Sequence, residues 1–270
     1  MDDTTVSEEG ARFDTDPIGV RLPAPERLTL TSADGVRLHG VHLPTGDPSA
    51  GTALVVCHGF THHTGHPTSR SVLTAFARHA PVVAVDMRGH GRSGGRSSVG
   101  DREILDLDAA VGAARAAGYV RIVTVGFSLG GAVALRHAAL GAERPDAIVA
   151  VSPPARWYSR ETAPMRRVHW LLEQPHGRLA ARLLKVRLGG TWDPVPASPV
   201  EVVADIAPTP LLLVHFTGDP YFTAAHSDAL VAASGGHAEQ WTKAVEGHGE
   251  SGTDPAIAAL IARWGLAAVG

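Results

Sequence analysis

The stretch that most narrows the fold is Val123-Thr124-Val125-Gly126-Phe127-Ser128-Leu129-Gly130-Gly131-Ala132. A β-branched run from Ile122 to Val125 leads into Gly-x-Ser-x-Gly, and an Ala- and Leu-rich run from Ala132 to Leu140 follows. The order is strand, sharp turn, helix. A turn of this kind pushes its serine hydroxyl into the open. Gly126 and Gly130 are needed because a Cβ at either position would clash where strand and helix nearly touch. The turn also leaves the N–H of Leu129 at a helix N-terminus, where an anion is stabilised. A bare Gly-x-Ser-x-Gly occurs by chance, but one lodged between a strand and a helix is a specific signal.

The rest of the chain repeats the alternation. Residues 27–31 and 36–43 alternate apolar and polar around Ser32-Ala33-Asp34-Gly35, which reads as an antiparallel hairpin. Continuous apolar runs at 53–57, 82–86, 122–125, 147–151 and 211–215, with a weaker one at 239–242, suit parallel strands covered on both faces. Helices are expected at 69–79, 101–117, 129–140, 224–234 and 254–264. Together they imply an α/β fold: a doubly wound, mostly parallel sheet with an N-terminal antiparallel hairpin. Function then belongs beyond the C-terminal ends of the strands.

Between Pro153 and Pro210 the rhythm breaks. Residues 157–173 and 177–188 read as short amphipathic helices separated by Pro175, and 189–199 is rich in Pro and Gly. The chain therefore divides into a core over 26–153 and 210–268, with a small helical cap inserted at 154–209. Residues 1–25 read as an acidic flexible tail carrying Asp2, Asp3, Glu8, Glu9, Asp14 and Asp16, with Pro17, Pro23 and Pro25 breaking regular structure.

Composition removes several classes of function. A net charge of −3 over 270 residues does not suggest a nucleic-acid partner. The chain shows no basic, then apolar, leader at its start and no run of 18 or more apolar residues, so neither a secretory signal nor a membrane span is expected. Cys57, the single cysteine, forms no intrachain disulfide; after the apolar run 53–56 it reads as a buried, inert thiol. These features point to a cytoplasmic protein. The heavy use of Ala, Arg, Gly and Val has the flavour of a GC-rich bacterial genome.

A serine hydroxyl needs a histidine base and a group that holds that base. The acid and then the histidine should follow the serine. Asp219 stands just past the apolar run 211–215, in Thr217-Gly218-Asp219-Pro220, where it could also merely cap a turn. His248 stands in Glu246-Gly247-His248-Gly249-Glu250, between the last strand and the last helix. Its Gly flanks suggest a flexible loop that swings the imidazole toward Ser128. The second oxyanion donor, beside Leu129, is expected in the loop His58-Gly59-Phe60-Thr61, as the N–H of Phe60.

This constellation resembles the α/β-hydrolase superfamily. The matching features are His58-Gly59-Phe60, the loop Asp86-Met87-Arg88-Gly89-His90-Gly91-Arg92-Ser93, the elbow Gly126–Gly130, Asp219 and His248, in order over residues 27–265. The resemblance implies the α/β-hydrolase fold and a catalytic triad of Ser128, Asp219 and His248, with no cofactor. A serine at the elbow separates the chain from epoxide hydrolases and dehalogenases, which place Asp there. The short cap and hairpin look most like the bacterial carboxylesterase and monoacylglycerol-lipase type. Phe216 departs from relatives that often carry Gly after the strand-end His. The implied activity is cleavage of a carboxylic ester or thioester on a small molecule. An acyltransferase using the same triad is an alternative, as is a non-catalytic ligand-binding protein, although the latter expects a broken triad.

Other residues carry weaker readings. His62, His63 and His66 cluster in the oxyanion loop at a spacing that could bind a metal, but no carboxylate or Cys joins them and the loop is rich in Thr and Gly, so a solvated loop is favoured over a metal site. Gly89–Gly95 lacks the Gly-Lys-Ser/Thr ending of a phosphate cradle; Asp86 and Arg88 read as braces for that loop. In the cap, Trp157, Tyr158, Trp170 and Trp192 read either as the lining of an acyl or aryl pocket, with Trp157, Tyr158 and Trp170 as candidate substrate contacts, or as the cap's own small core. Over 156–188 eight basic residues face two acids, which reads either as a solvated face or as attraction for an anionic substrate.

Overall fold

The computed structural model describes residues 23–44 and 51–270. The acidic tail expected over 1–25 falls outside them up to residue 22. Among the described residues, eight strands form one sheet: β1 (Glu26–Thr31), β2 (Arg37–Leu43), β3 (Thr52–Cys57), β4 (Val82–Val85), β5 (Arg121–Phe127), β6 (Ala147–Val151), β7 (Leu211–Gly218) and β8 (Glu239–Glu246). Their spatial order is β1-β2-β4-β3-β5-β6-β7-β8. β1 and β2 pair antiparallel, β2 pairs antiparallel with β4, and every later pairing is parallel.

The apolar runs bury both faces of the sheet. Val55, Ile122, Ile148 and Leu213 point one way, onto α2 (Glu103–Ala116), α3 (Leu129–Leu140) and α7 (Ala224–Ala233). Their neighbours Leu54, Val123, Val149 and Leu212 point the other way, onto α1 (Pro67–Ala77) and α8 (Pro255–Ala268). This two-faced alternation is why the runs read as unbroken apolar stretches. Every parallel strand except the edge strand β8 is thereby locked in register, because a one-residue slip would exchange its two buried faces.

The segment between β6 and β7 departs in detail from expectation. Its first helix, α4, spans Ala163–Glu173 rather than beginning at 157. Thr162 caps it, accepting the Met165 N–H at 3.3 Å, and Pro164 sits in the first turn where a missing N–H costs nothing. The second, α5, spans Pro175–Leu183 rather than 177–188, and Pro175 divides the two helices as the first residue of the second. A third helix, α6 (Pro199–Val202), runs into a 3-10 turn at Val203–Ile206. Its sequence signal was the capping box Ser198-Pro199-Val200-Glu201, in which the Ser198 N–H donates to Glu201 Oε2 at 2.6 Å. Two isolated bridges, His90 to Val186 and Ser97 to Leu188, tie the segment to the loop after β4. No helix among the described residues is long and apolar enough to cross a membrane.

Candidate active site

Ser128 joins β5 to α3 with a backbone φ of 52°, a left-handed value that a non-glycine residue adopts at a cost. The turn is held because a Cβ at Gly126 would fall on the Gly130 carbonyl, and a Cβ at Gly130 on the Cys57 and His58 carbonyls. Only glycines let strand, turn and helix approach this closely. Leu129 is the first residue of α3, so its N–H has no intrahelical partner.

His248 follows β8 and stands between Gly247 (φ 137°) and Gly249 (φ 52°). Its Nδ1 lies 2.8 Å from Asp219 Oδ2, and its Nε2 lies 2.7 Å from Ser128 Oγ. Asp219 is an acceptor, so Nδ1 carries the proton and Nε2 accepts the serine O–H. The loop holds the imidazole against Ser128 and carries hydrogen bonds of its own. Ser251 Oγ accepts the His248 N–H at 3.0 Å and donates back to its carbonyl at 2.9 Å, and Thr253 Oγ1 donates to the Gly249 carbonyl at 2.9 Å. Tyr221 and Phe222 wall the imidazole, with ring centroids 4.5 and 5.4 Å from it.

Asp219 combines both of its sequence readings. Oδ1 caps the turn, accepting the N–H groups of Tyr221 at 2.8 Å and Phe222 at 3.1 Å, while Oδ2 faces His248. Burial works to raise its pKa, but the hydrogen bond and charge of His248 and the Tyr221 N–H outweigh it and hold the carboxyl below its ordinary value. β7 extends to Gly218, beyond the expected 211–215, through an irregularity between Phe216 and Gly218. Phe216 is fully buried there, with its ring where a Cβ on Gly252 would fall.

Phe60 lies across from Leu129, and both line the same cavity. Its loop is braced from several sides. His58 accepts the Met87 N–H on Nε2 at 3.0 Å, so its Nδ1–H donates to the Gly59 carbonyl at 2.8 Å. Burial pushes the His58 pKa down to about 3, which keeps the ring neutral. His90 sits between the carbonyls of Arg88 and Phe60, at 3.0 and 2.7 Å. Asp86 accepts the Thr64 and Arg92 N–H groups, at 2.7 and 2.9 Å, while Arg88 binds Asp106 and Asp34. Cys57 is buried behind this loop, 3.2 Å from the Met87 sulfur, and burial pushes its thiol pKa up.

Sequence reasoning missed one participant. Glu250 is buried against Gly59, accepting its N–H on Oε1 at 2.8 Å. The same oxygen lies 3.0 Å from His62 Nδ1, an ion-pair contact whose N–H is not aimed along the line of centres. A carboxylate therefore does join the histidine cluster, contrary to the sequence reading. It comes from the far end of the chain, and no local spacing announces it. His66 stacks on His62 with centroids 4.1 Å apart. No group of three or more candidate metal ligands gathers among the described residues.

The cavity over Ser128 has a volume of about 390 Å³. Apolar side chains dominate it, among them Phe60, Leu129, Trp157, Leu172 and Trp192, with Tyr158 at its rim. Trp157 is buried, with its Nε1–H donating to the Pro196 carbonyl at 2.9 Å. Trp170 is half exposed and does not line the cavity. Much of the basic excess is engaged locally. Arg160 pairs with Glu173 at 2.6 Å; Arg166 binds the Arg160 and Glu161 carbonyls; Arg178, at the cavity wall, holds the Gly189 carbonyl; and Arg187 holds that of Ser93.

A serine on a strained strand-to-helix turn, followed in chain order by acid and histidine on a mostly parallel sheet, is the framework of one protein family, and residues 52–187 match that family, the alpha/beta hydrolase fold. This chain belongs to it. Among its relatives is the uncharacterized protein Rv2307c of Mycobacterium tuberculosis, 30% identical over an alignment of 206 positions that covers 70% of this chain and 69% of the relative. Among solved structures, the esterase Pf2001 of Pyrococcus furiosus superposes with a TM-score of 0.66 at 24% identity, over 90% of this chain and 88% of its own. The hypothetical protein PA2218 of Pseudomonas aeruginosa gives a TM-score of 0.69 at 17% identity, over 96% and 98%. These likenesses to solved structures extend the shared fold to nearly the whole chain.

Proposed function

We propose that this protein is a serine hydrolase that cleaves an ester or thioester of a small apolar acid through an acyl-enzyme on Ser128. The reading is carried by the relay from Ser128 Oγ to His248 Nε2 at 2.7 Å and from His248 Nδ1 to Asp219 at 2.8 Å. In this mechanism His248 takes the Ser128 proton as Oγ attacks the carbonyl carbon. Asp219 fixes the tautomer and stabilises the imidazolium. The N–H groups of Phe60 and Leu129 receive the oxyanion, a contribution of about 3 kcal/mol per donor. The imidazolium returns its proton to the leaving alkoxide or thiolate. Water then attacks the acyl-enzyme by the same route and releases the acid.

The esterase named among the structural neighbours agrees with this reading. The cavity supports an apolar acyl or aryl group, since its wall is mainly aliphatic and aromatic. Of the basic residues of the β6–β7 segment, Arg160 is paired with a carboxylate, whereas Arg178 lines the cavity and binds only a backbone carbonyl, so the apolar wall and one cationic side chain together shape the site. We infer that this segment, with its cavity-facing residues, acts as the cap that selects the acyl group.

A fluorophosphonate probe tests the chemistry. It should label the wild type at Ser128 and leave Ser128→Ala unlabelled. A series of p-nitrophenyl esters of rising chain length then reports the acyl preference. Labelling of the Ser128→Ala protein at the wild-type rate would remove the proposal.

A further inference from the structure

We propose that Glu250 is a positioning residue for the oxyanion loop, holding the turn that presents the Phe60 N–H. This inference rests on the reading of Ser128 as nucleophile. The loop at 59–62 is a tight turn, closed by the His62 N–H donating to the Gly59 carbonyl at 3.0 Å. Phe60 is its second residue. Glu250 grips both ends of that turn with one oxygen: the Gly59 N–H at 2.8 Å and His62 Nδ1 at 3.0 Å. The residue whose N–H is to meet the oxyanion lies between the two grips.

The location of the carboxylate is otherwise hard to explain. Glu250 is 5% exposed, and burying a carboxylate is costly unless it is paired and hydrogen-bonded. An apolar side chain could fill the same space but would leave the Gly59 N–H buried without an acceptor. Glu250 also lies two residues beyond His248, in the 3-10 turn Gly249–Gly252. It therefore ties the loop of the base directly to the loop of the oxyanion donor. An ideal Cβ built on Gly59 lies 3.1 Å from Glu250 Oε2 and 3.6 Å from Ser128 Cβ, so the tie is made beside the nucleophile. A negative charge this close would oppose a developing oxyanion. When protonated, His62 supplies the counter-charge, giving the pair a second task beyond geometry.

The role predicts a particular kinetic signature. A donor displaced by about 1 Å costs on the order of 100-fold in rate, while ground-state binding of an apolar ester is little affected. Glu250→Ala, Glu250→Gln and His62→Ala would be assayed with p-nitrophenyl acetate, with turnover expressed per site titrated by the fluorophosphonate. Affinity for a trifluoromethyl ketone, which binds as a tetrahedral oxyanion, is the second readout. Glu250→Ala should lose kcat by about 10- to 100-fold with KM within about 3-fold, and ketone affinity should fall in parallel. Glu250→Gln keeps an acceptor for Gly59 and should recover to within about 5-fold of wild type. His62→Ala should fall between these two.

Wild-type kcat per titrated site in Glu250→Ala would overturn the proposal. So would Glu250→Gln as damaged as Glu250→Ala, or a change confined to KM. If Glu250→Ala does not fold, His62→Ala decides: unchanged kcat and ketone affinity overturn the role, and a parallel loss of both supports it. Failure of the wild type to react with the fluorophosphonate is a different result. It removes the Ser128 reading itself, and this inference with it.

Discussion

Ser128 shows how much of the site is fixed by single residues. Its left-handed backbone costs a non-glycine residue about 1–3 kcal/mol, offset by the packing of β5 and α3 around it. Two substitutions probe this arrangement. Gly130→Ala would drive a methyl into the Cys57 and His58 carbonyls, and should destabilise the fold by about 3 kcal/mol or more in urea denaturation. Ser128→Ala should keep the fold and lose turnover by a factor on the order of 10⁴ or more. In the proposed mechanism Ser128 and His248 act as a unit, so Ser128→Ala/His248→Ala should be scarcely worse than either single change. Losses that multiply in the double variant would mean that His248 serves some other step.

At the scale of elements, legibility followed the source of each signal. Strands β3 to β7 are sandwiched between helices, so burial on both faces wrote them into the sequence as apolar runs. Ser128, Asp219 and His248 were equally legible, because each stands where a strand ends. The β6–β7 segment was not, since its helices are short and half exposed and their limits depend on caps such as Thr162 and Ser198. Glu250 was invisible because its partner is 191 residues away in the chain. The same segment yields a prediction about selectivity. Leu172 lines the cavity, and Leu172→Trp would shorten it. kcat/KM for p-nitrophenyl octanoate should fall about 10-fold or more, while the acetate ester stays within about 2-fold. Equal losses on both esters would place Leu172 in the chemistry rather than in selection.

At the scale of the whole molecule, the Glu250–His62 pair should mark the dependence of stability on pH. For Glu250 burial raises the pKa, but the close His62 and its charge, with the Gly59 N–H, bring it below the ordinary 4.5. For His62 burial lowers it, and the close carboxylate of Glu250 carries it above the ordinary 6.5. A depressed carboxylate stabilises above its unfolded pKa and loses that contribution as pH falls through its folded value. A raised histidine stabilises below its unfolded pKa and loses that contribution as pH rises through its folded value. The pair therefore contributes most between about pH 4.5 and 6.5. The Tm difference between wild type and His62→Ala should be widest near pH 5.5 and shrink by pH 8, as read by differential scanning fluorimetry. A difference that grows with pH would assign His62 the opposite charge state; His66 and His63, its cationic neighbours when protonated, would then be the groups to examine.

The bond from Gly59 to Glu250 also bears on the order in which the molecule is made. During synthesis the elbow and the oxyanion loop leave the ribosome long before residue 250 does. The contact that joins the two ends closes a loop of 191 residues, and such distant pairings form late because chain entropy opposes them. His248 and Glu250 both hang from β8, the last strand added and an edge of the sheet. A nascent or refolding chain can thus hold most of its sheet and helices while the proposed site is still incomplete. Recovery of the proposed esterase activity after dilution from urea should lag behind recovery of far-ultraviolet circular dichroism, so that the site is silent until its last strand is in place.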